Sequence, residues 1–465
     1  MQSLNSLGVR RVTAWAAAST NRRIFAAALT VGGITLLVKL AAVFKELISA
    51  FQFGAGRELD ALLIAWALPT FLINVLGGSL QAALVPVYLE VLHKEGRAAA
   101  TRLVGSLSVA FLLLLVVVSL ILVVLAPWLL RGMGMGFTAG ELVLCRHVFY
   151  VLLPIIVFTG MARLYGGVLV AENNFAVTTA ATVATPLLSI LCMLLFTRSI
   201  GIYSLALGIL LGALVEGLLL AGILTRRKAS LSLRWGGKTA ALAQIGAQYL
   251  PVIMGSVLMA GTLLTDQAMA GMLPAGGVSA LNYANKVPAV ILGLTSAAIG
   301  TAVLPYFSRM VTAADWSGVR HTFRTYIKLI VATTVPVTIV LMLLSGPIIR
   351  HLFERGAFTA ADTQIVSWTQ VWFLVQIPFY TLGILAVRLI SALQANRILM
   401  WGSAISLVLN ALLDYLLMQK MGVAGIALST SLVYVVAFVY LFVMLVRVMR
   451  KRMQVAASSV HAPIA

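Results

Sequence analysis

Uncharged apolar runs, each long enough to cross a bilayer, follow one another along the whole chain. About twenty apolar residues in a helix span the hydrocarbon core. Runs of that size lie at 61–89, 103–130, 175–197, 239–265, 287–308, 329–349, 363–387 and 421–446. Shorter or charge-interrupted runs at 24–44, 142–169, 202–224 and 398–418 complete a set of twelve. They are continuously apolar rather than alternating, which predicts helices and not the strands of a barrel. Proline recurs inside them, from Pro69 and Pro86 to Pro336 and Pro378, so bent helices with locally freed carbonyls are expected.

Composition sharpens this reading. Of 465 residues, 61% are hydrophobic and only 10% charged, which excludes a water-soluble enzyme, a disordered tail and a secreted disulfide scaffold. Cys145 and Cys192 both lie in apolar runs and offer neither a disulfide framework nor a metal cluster. The net charge is +20, and its placement matters more than its size. With the N-terminus inside, twenty-two Lys and Arg fall in cytoplasmic segments and nine on the opposite side. That asymmetry places both termini in the cytoplasm. The charge is therefore a topology signal, and no nucleic-acid partner is expected. The polar first 23 residues show no clear small-residue cleavage site and are expected to be a cytoplasmic lead-in rather than a signal peptide.

The chain also repeats itself. Pro69 and Pro86 are 17 apart, as are Pro288 and Pro305, at an offset of 219. Ala61-Leu62 matches Ala280-Leu281, and "AALVPVY" (82–88) echoes "TAVLPYF" (301–307). "GFTA" (136–139) echoes "AFTA" (357–360), and "GIYSLAL" (201–207) echoes "GVAGIAL" (422–428), both at 221. The expected fold is an all-α polytopic membrane protein of twelve transmembrane helices. Two six-helix lobes would be related by a pseudo-two-fold axis around a central cavity, as in transporters. The expected boundaries are a lead-in at 1–23, an N-terminal lobe at 24–224 and a basic cytoplasmic linker at 225–240. A C-terminal lobe at 241–447 and a cytoplasmic tail at 448–465 follow.

Ionisable residues within spans are costly, and by default suggest function. Lys39, Lys45 and Lys286, from early helices of both lobes, fit a cavity that receives an anion, since Lys binds phosphate as a point charge. Glu46, Asp60, Arg163, Arg388 and Glu216 are the other charges at membrane depth. Internal pairing, Lys45 with Asp60 or Arg163 with Glu216, is the competing explanation. A second group lies in the C-terminal lobe. Asn410 and Asp414 are i, i+4 and share a helical face, and Asp266 and Thr430 are expected at similar depth. All four offer oxygen, which suits a hard cation such as Na⁺; an Asp–Asn network gluing helices would also explain them. No catalytic grouping emerges, the five histidines are scattered, and no enzyme is expected.

Several blocks resemble the MviN/MurJ family, the lipid II flippases of the multidrug/oligosaccharidyl-lipid/polysaccharide exporter superfamily. They are "VKLAAVFKELISAFQFGAGRELDALLIAWALPT" (38–70), "SALNYANKV" (279–287), "LFERGAFTAADT" (352–363), "RLISALQANR" (388–397), "SLVLNALLDYLL" (406–417) and "GVAGIALSTSLV" (422–433). By position, the resemblance puts the family's cavity residues on Lys39, Lys45, Glu46, Asp60 and Lys286. It puts the family's cation site on Asp266, Asn410, Asp414 and Thr430. The chain departs from the pattern in carrying lysines where the family has cavity arginines. It has "FLINVLGG" (71–78) where an arginine pair is expected, and about twenty residues after its twelfth span where the family typically adds two helices.

The resemblance implies a flippase for a polyprenyl-pyrophosphate-linked glycan precursor, lipid II or like it, working by alternating access in the bacterial inner membrane. Its partners would be that glycolipid, the bilayer and the cell-envelope glycan synthesis machinery. No cofactor is expected beyond a possible coupling Na⁺. An exopolysaccharide or O-antigen unit flippase of the same fold is the nearest alternative, and a drug/cation antiporter a more distant one.

Overall fold

The computed structural model describes residues 20–226, 235–237 and 239–460. Most of the expected lead-in (1–19), most of the expected linker (227–234 and 238) and the end of the tail (461–465) lie outside the described residues. The described residues form helices and no strand.

In chain order, α1 (Thr20–Phe53) precedes α2 (Arg57–Leu72), which runs through a π turn (Ile73–Gly77) into α3 (Gly78–Lys94). The first half continues with α4 (Arg97–Met133), α5 (Ala139–Leu152), α6 (Ile155–Ala171), α7 (Phe175–Ala181), α8 (Ala184–Ile200) and α9 (Tyr203–Arg226). The second begins with α10 (Ala240–Ala270), α11 (Gly277–Ala284), α12 (Lys286–Thr312) and α13 (Trp316–Leu343). It ends with α14 (Ser345–Phe353), α15 (Ala360–Leu374), α16 (Gln376–Ala392), α17 (Arg397–Met421) and α18 (Val423–Val460). Ten segments among the described residues are long and apolar enough to cross a membrane. The 34-residue α1 and 27-residue α12 stand at the two remaining expected positions.

Several expected spans are broken rather than continuous. The run 142–169 breaks at Leu153–Pro154, 175–197 at Thr182–Val183 and 363–387 at Val375. Prolines sit at or just after these breaks, with Pro154 capping α6 and Pro186 and Pro378 third in α8 and α16. There a missing N–H removes no helical bond. The expected span 329–349 is corrected: its helix starts earlier, at Trp316, and stops at Leu343 before a separate short α14.

The molecule divides into two compact units. One comprises the described chain up to Ser49, Leu72–Ala126 and His147–Ile253; the other Ala50–Phe71, Pro127–Arg146 and the chain from Met254. These are not the two halves of the sequence, since 50–71 and 127–146 cluster with the second unit. In the first unit α9 packs closely on α8 because Gly208 and Gly212 put bare Cα atoms against the backbone of Ser189 and Thr185. Association in lipid depends on this close small-residue packing rather than on expelling water. In the second, Phe307, Phe323, Leu385, Leu389 and Leu445 form a continuous buried core. By contrast, Leu113, Val117, Leu120 and Val124 on α4 are exposed, an apolar stripe suited to hydrocarbon.

Candidate functional site

Asp60, near the start of α2, is buried. Its Oδ2 accepts the backbone N–H of Gly276 at 2.6 Å and its Oδ1 that of Ser279 at 2.7 Å. Gly276 adopts φ +91° and precedes the first residue of α11. Asp60 thus supplies, from a distant segment, the carboxylate that closes the open N-terminus of α11, where orphan N–H groups and the helix dipole both favour an anion. Both carboxylate oxygens are committed to the backbone. Lys45, on α1, pairs with the neighbouring Glu46, its Nζ lying 2.7 Å from Glu46 Oε1.

Around Asp60 two matching backbone bonds join the repeats. Ala357 N–H donates to Phe51 C=O at 2.8 Å, and Gly136 N–H donates to Gly271 C=O at 3.0 Å. Position 136 corresponds to 357 and 51 to 271 within one residue of the repeat offset. The loop of each half therefore clasps the first helix of the other. Both clasps require glycine. A Cβ at Gly54, which has φ +59°, would collide with the carbonyl of Ala357, and one at Gly136 would lie 2.8 Å from that of Met272.

The "FTA" motifs that follow each loop start helices. Thr359 and Asp362 form a reciprocal capping box on α15. Thr138 N–H donates to Glu141 Oε2 at 2.7 Å and Glu141 N–H to Thr138 Oγ1 at 3.4 Å, which repeats the box on α5. Arg57 adds an ion pair to Glu141 at 2.9 Å. The S/T-x-x-D/E spacing was sufficient to show this. The clasps had no sequence signal beyond the repeat itself.

The four residues expected to bind a cation come together. Asn410 Nδ2 donates to Asp266 Oδ1 at 2.9 Å and Thr430 Oγ1 to Asp266 Oδ2 at 3.3 Å. Asp414 is fully buried, one turn along α17 from Asn410. Neither of its carboxylate oxygens, nor Asn410 Oδ1, makes a short, well-aligned hydrogen bond, although the Ser429 hydroxyl and the Asp266 carboxylate lie beside Asp414. A buried carboxylate without a donor is costly in a protein interior, and three such oxygens together are the donor set a hard cation takes. Ser429, whose hydroxyl donates to the Asn410 carbonyl at 3.4 Å, was missed from the sequence.

The other expected residues divide between the units. Lys39 is exposed on α1 and Lys45 is buried on the same helix. Arg163, on α6, is exposed and acts electrostatically on Glu216 of α9. Lys286 opens α12, half-buried, and Arg388 is half-buried on α16 with its Nε lacking a partner. None of these residues lines the cavity of about 540 Å³ near Ser345, Trp368 and Met421.

Comparison with known proteins shows the family and the fold. A family model described as lipid II flippase MurJ matches residues 48–461. Similar curated proteins include the probable lipid II flippase MurJ of Vibrio cholerae, 27% identical over 434 residues covering 89% of this chain and 81% of that one. The lipid II flippase MurJ of Burkholderia cenocepacia is 24% identical over 426 residues, covering 87% and 80%. A solved lipid II flippase MurJ in an inward closed conformation superposes with TM-score 0.76 at 22% identity, covering 91% of this chain and 90% of that one. An inward-facing MATE family transporter of the MOP superfamily gives 0.77 at 14% identity, covering 90% and 98%.

Proposed function

The chain belongs to the lipid II flippase MurJ family, and we propose that it carries lipid II, a polyprenyl-pyrophosphate-linked glycan precursor, from the cytoplasmic to the outer leaflet of the bacterial inner membrane. The observation that carries this reading is the family match over residues 48–461, nearly the whole bundle, clasps and motifs included. The lysines at membrane depth support it, because a diphosphate crossing hydrocarbon needs compensating positive charge. Lys39, Lys45 and Lys286 are the groups we assign to the diphosphate, with Glu46 beside Lys45 holding its ammonium in place. Arg388, with its partnerless Nε, would be a further contact. The acyl chain remains in lipid.

The charge asymmetry of the loops puts both termini in the cytoplasm. The end carrying Asp60 and the two clasps then faces outward, and transport by alternating access requires it to open. Asp266, Asn410, Asp414 and Thr430 would hold Na⁺, which on binding balances the buried Asp266 and Asp414 carboxylates. Because one charge moving through 100 mV is worth about 2.3 kcal/mol, the membrane potential also acts on an anionic headgroup.

Complementation tests the reading. A strain depleted of its own lipid II flippase should regain growth and outer-leaflet lipid II when this chain is expressed. Correct membrane insertion with no rescue, alongside rescue of a strain lacking an exopolysaccharide-unit flippase, would overturn it.

A further inference from the structure

We propose that Arg163, framed by the π turn of the second span, forms a subsite of its own for the phosphate-bearing part of the lipid-linked substrate; this deepens the flippase reading and rests on it. Nine of the ten residues from Gly160 to Leu169 are buried, and Arg163 is the exception. Arg163 is therefore the one accessible side chain on an otherwise enclosed stretch of helix in the first unit. It lies about 12 Å along the helix from the end of α6 at Ala171, by the helical rise per residue, within the apolar span Ala139–Ala171.

The wall beside it is built for access. The π turn Ile73–Gly77 interrupts the span Arg57–Lys94 near its middle, and π turns recur at functional positions because they free backbone groups. Tyr249 Oη donates to the carbonyl of Leu76 at 3.0 Å and so satisfies the turn. Gly77 packs directly on the Arg163 stem, and a Cβ there would lie 2.9 Å from Arg163 Cγ. Asn74 is exposed among buried Ile73, Val75, Leu76 and Gly77, and the exposed positions one and two turns on are Gly78 and Ala82. The surface facing hydrocarbon on α4 is instead leucine and valine. A stripe of small residues with one exposed amide, on the turn whose Gly77 packs against the Arg163 stem, leaves room for a phosphate group, which Arg grips with paired donors and Asn74 can supplement through its amide N–H. Glu216 offers the competing explanation, in which Arg163 merely balances a buried carboxylate.

Transport of fluorescently tagged lipid II into the outer leaflet of vesicles reconstituted with the full chain separates these. Arg163→Gln should cut the initial rate at least tenfold, and Arg163→Lys should retain a fraction with a raised half-saturating lipid II level. Gly77→Ala, which leaves the guanidinium chemistry intact but displaces its stem, should slow transport severalfold. Adding Glu216→Gln to Arg163→Gln should not restore it. Wild-type rates in Arg163→Gln, or rescue of that variant by Glu216→Gln, would overturn the subsite while the flippase reading stands. Absence of lipid II transport by the wild-type chain would overturn both. Should Arg163→Gln fail to fold, Arg163→Lys and Gly77→Ala decide the matter by the same readout.

Discussion

Asp60 and Ser279 are the same position of two repeats, 219 residues apart, and they are hydrogen-bonded to each other. Residues related by a two-fold axis touch only where the axis passes between them. Their 2.7 Å bond therefore locates the pseudo-symmetry axis of the duplicated sequence, and the two matching clasps lie one on each side of it. At the axis itself the symmetry is broken, because one repeat offers a carboxylate and the other a helix N-terminus.

Replacing Asp60 by alanine would leave the N–H groups of Gly276 and Ser279 unpaired in a buried place. Each such group costs about 1–3 kcal/mol, so thermal unfolding of Asp60→Ala in detergent should begin at a clearly lower temperature. Asp60→Asn, which keeps one acceptor, should fall between that variant and wild type. An unchanged transition in Asp60→Ala would show that the carboxylate does not hold α11.

Gly54→Ala and Gly136→Ala each drive a methyl group into the facing backbone of the clasp to which they belong, and at Gly54 the positive φ adds strain of about 1 kcal/mol. Both variants should weaken the closed outer end and raise the labelling of a cysteine introduced at Ser279 by a membrane-impermeant maleimide, in a chain whose Cys145 and Cys192 are replaced by serine. Labelling no faster than in the parent chain would remove the clasps from the gating reading.

For the cation site the expected signature is selective stabilisation. Sodium should raise the unfolding temperature of the wild-type chain, since an ion at a hundred times its dissociation constant adds about 2.7 kcal/mol to the folded state. Potassium should do so less, and Asp414→Asn should abolish the sodium effect. A sodium response that persists in Asp414→Asn would place the ion elsewhere.

Lys39→Ala and Lys286→Ala should each abolish rescue of a flippase-depleted strain while the protein still accumulates in the membrane. Rescue by both at wild-type level would remove the lysines from diphosphate binding.

Much of this was legible from residues alone. The order of the apolar spans, ten of which meet the length and hydropathy of a membrane helix among the described residues, the repeat, and the convergence of Asp266 on Asn410 and Thr430 follow from hydropathy, offset and helical spacing. The role of Asp60 was not, because its partners are main-chain N–H groups, which carry no residue signature. The π turn was hidden for a related reason: "INVLG" (73–77) is as apolar as ordinary helix, and only tertiary packing against Arg163 and Tyr249 selects the wider turn. The capping boxes at Thr138 and Thr359 are written openly in the sequence, as a Thr three residues before an acidic side chain.

Both clasps are bonds between peptide groups, and this fixes how the junction can be studied and how it can change. Systematic alanine replacement would pass over it in silence at Phe51 and would register only at its glycines. Drift of the neighbouring side chains leaves the donors and acceptors in place, so relatives with little in common there can close in the same way. Deuterium uptake at the amides of Gly136 and Ala357 reads the two halves separately, and would reveal whether they release together or one before the other.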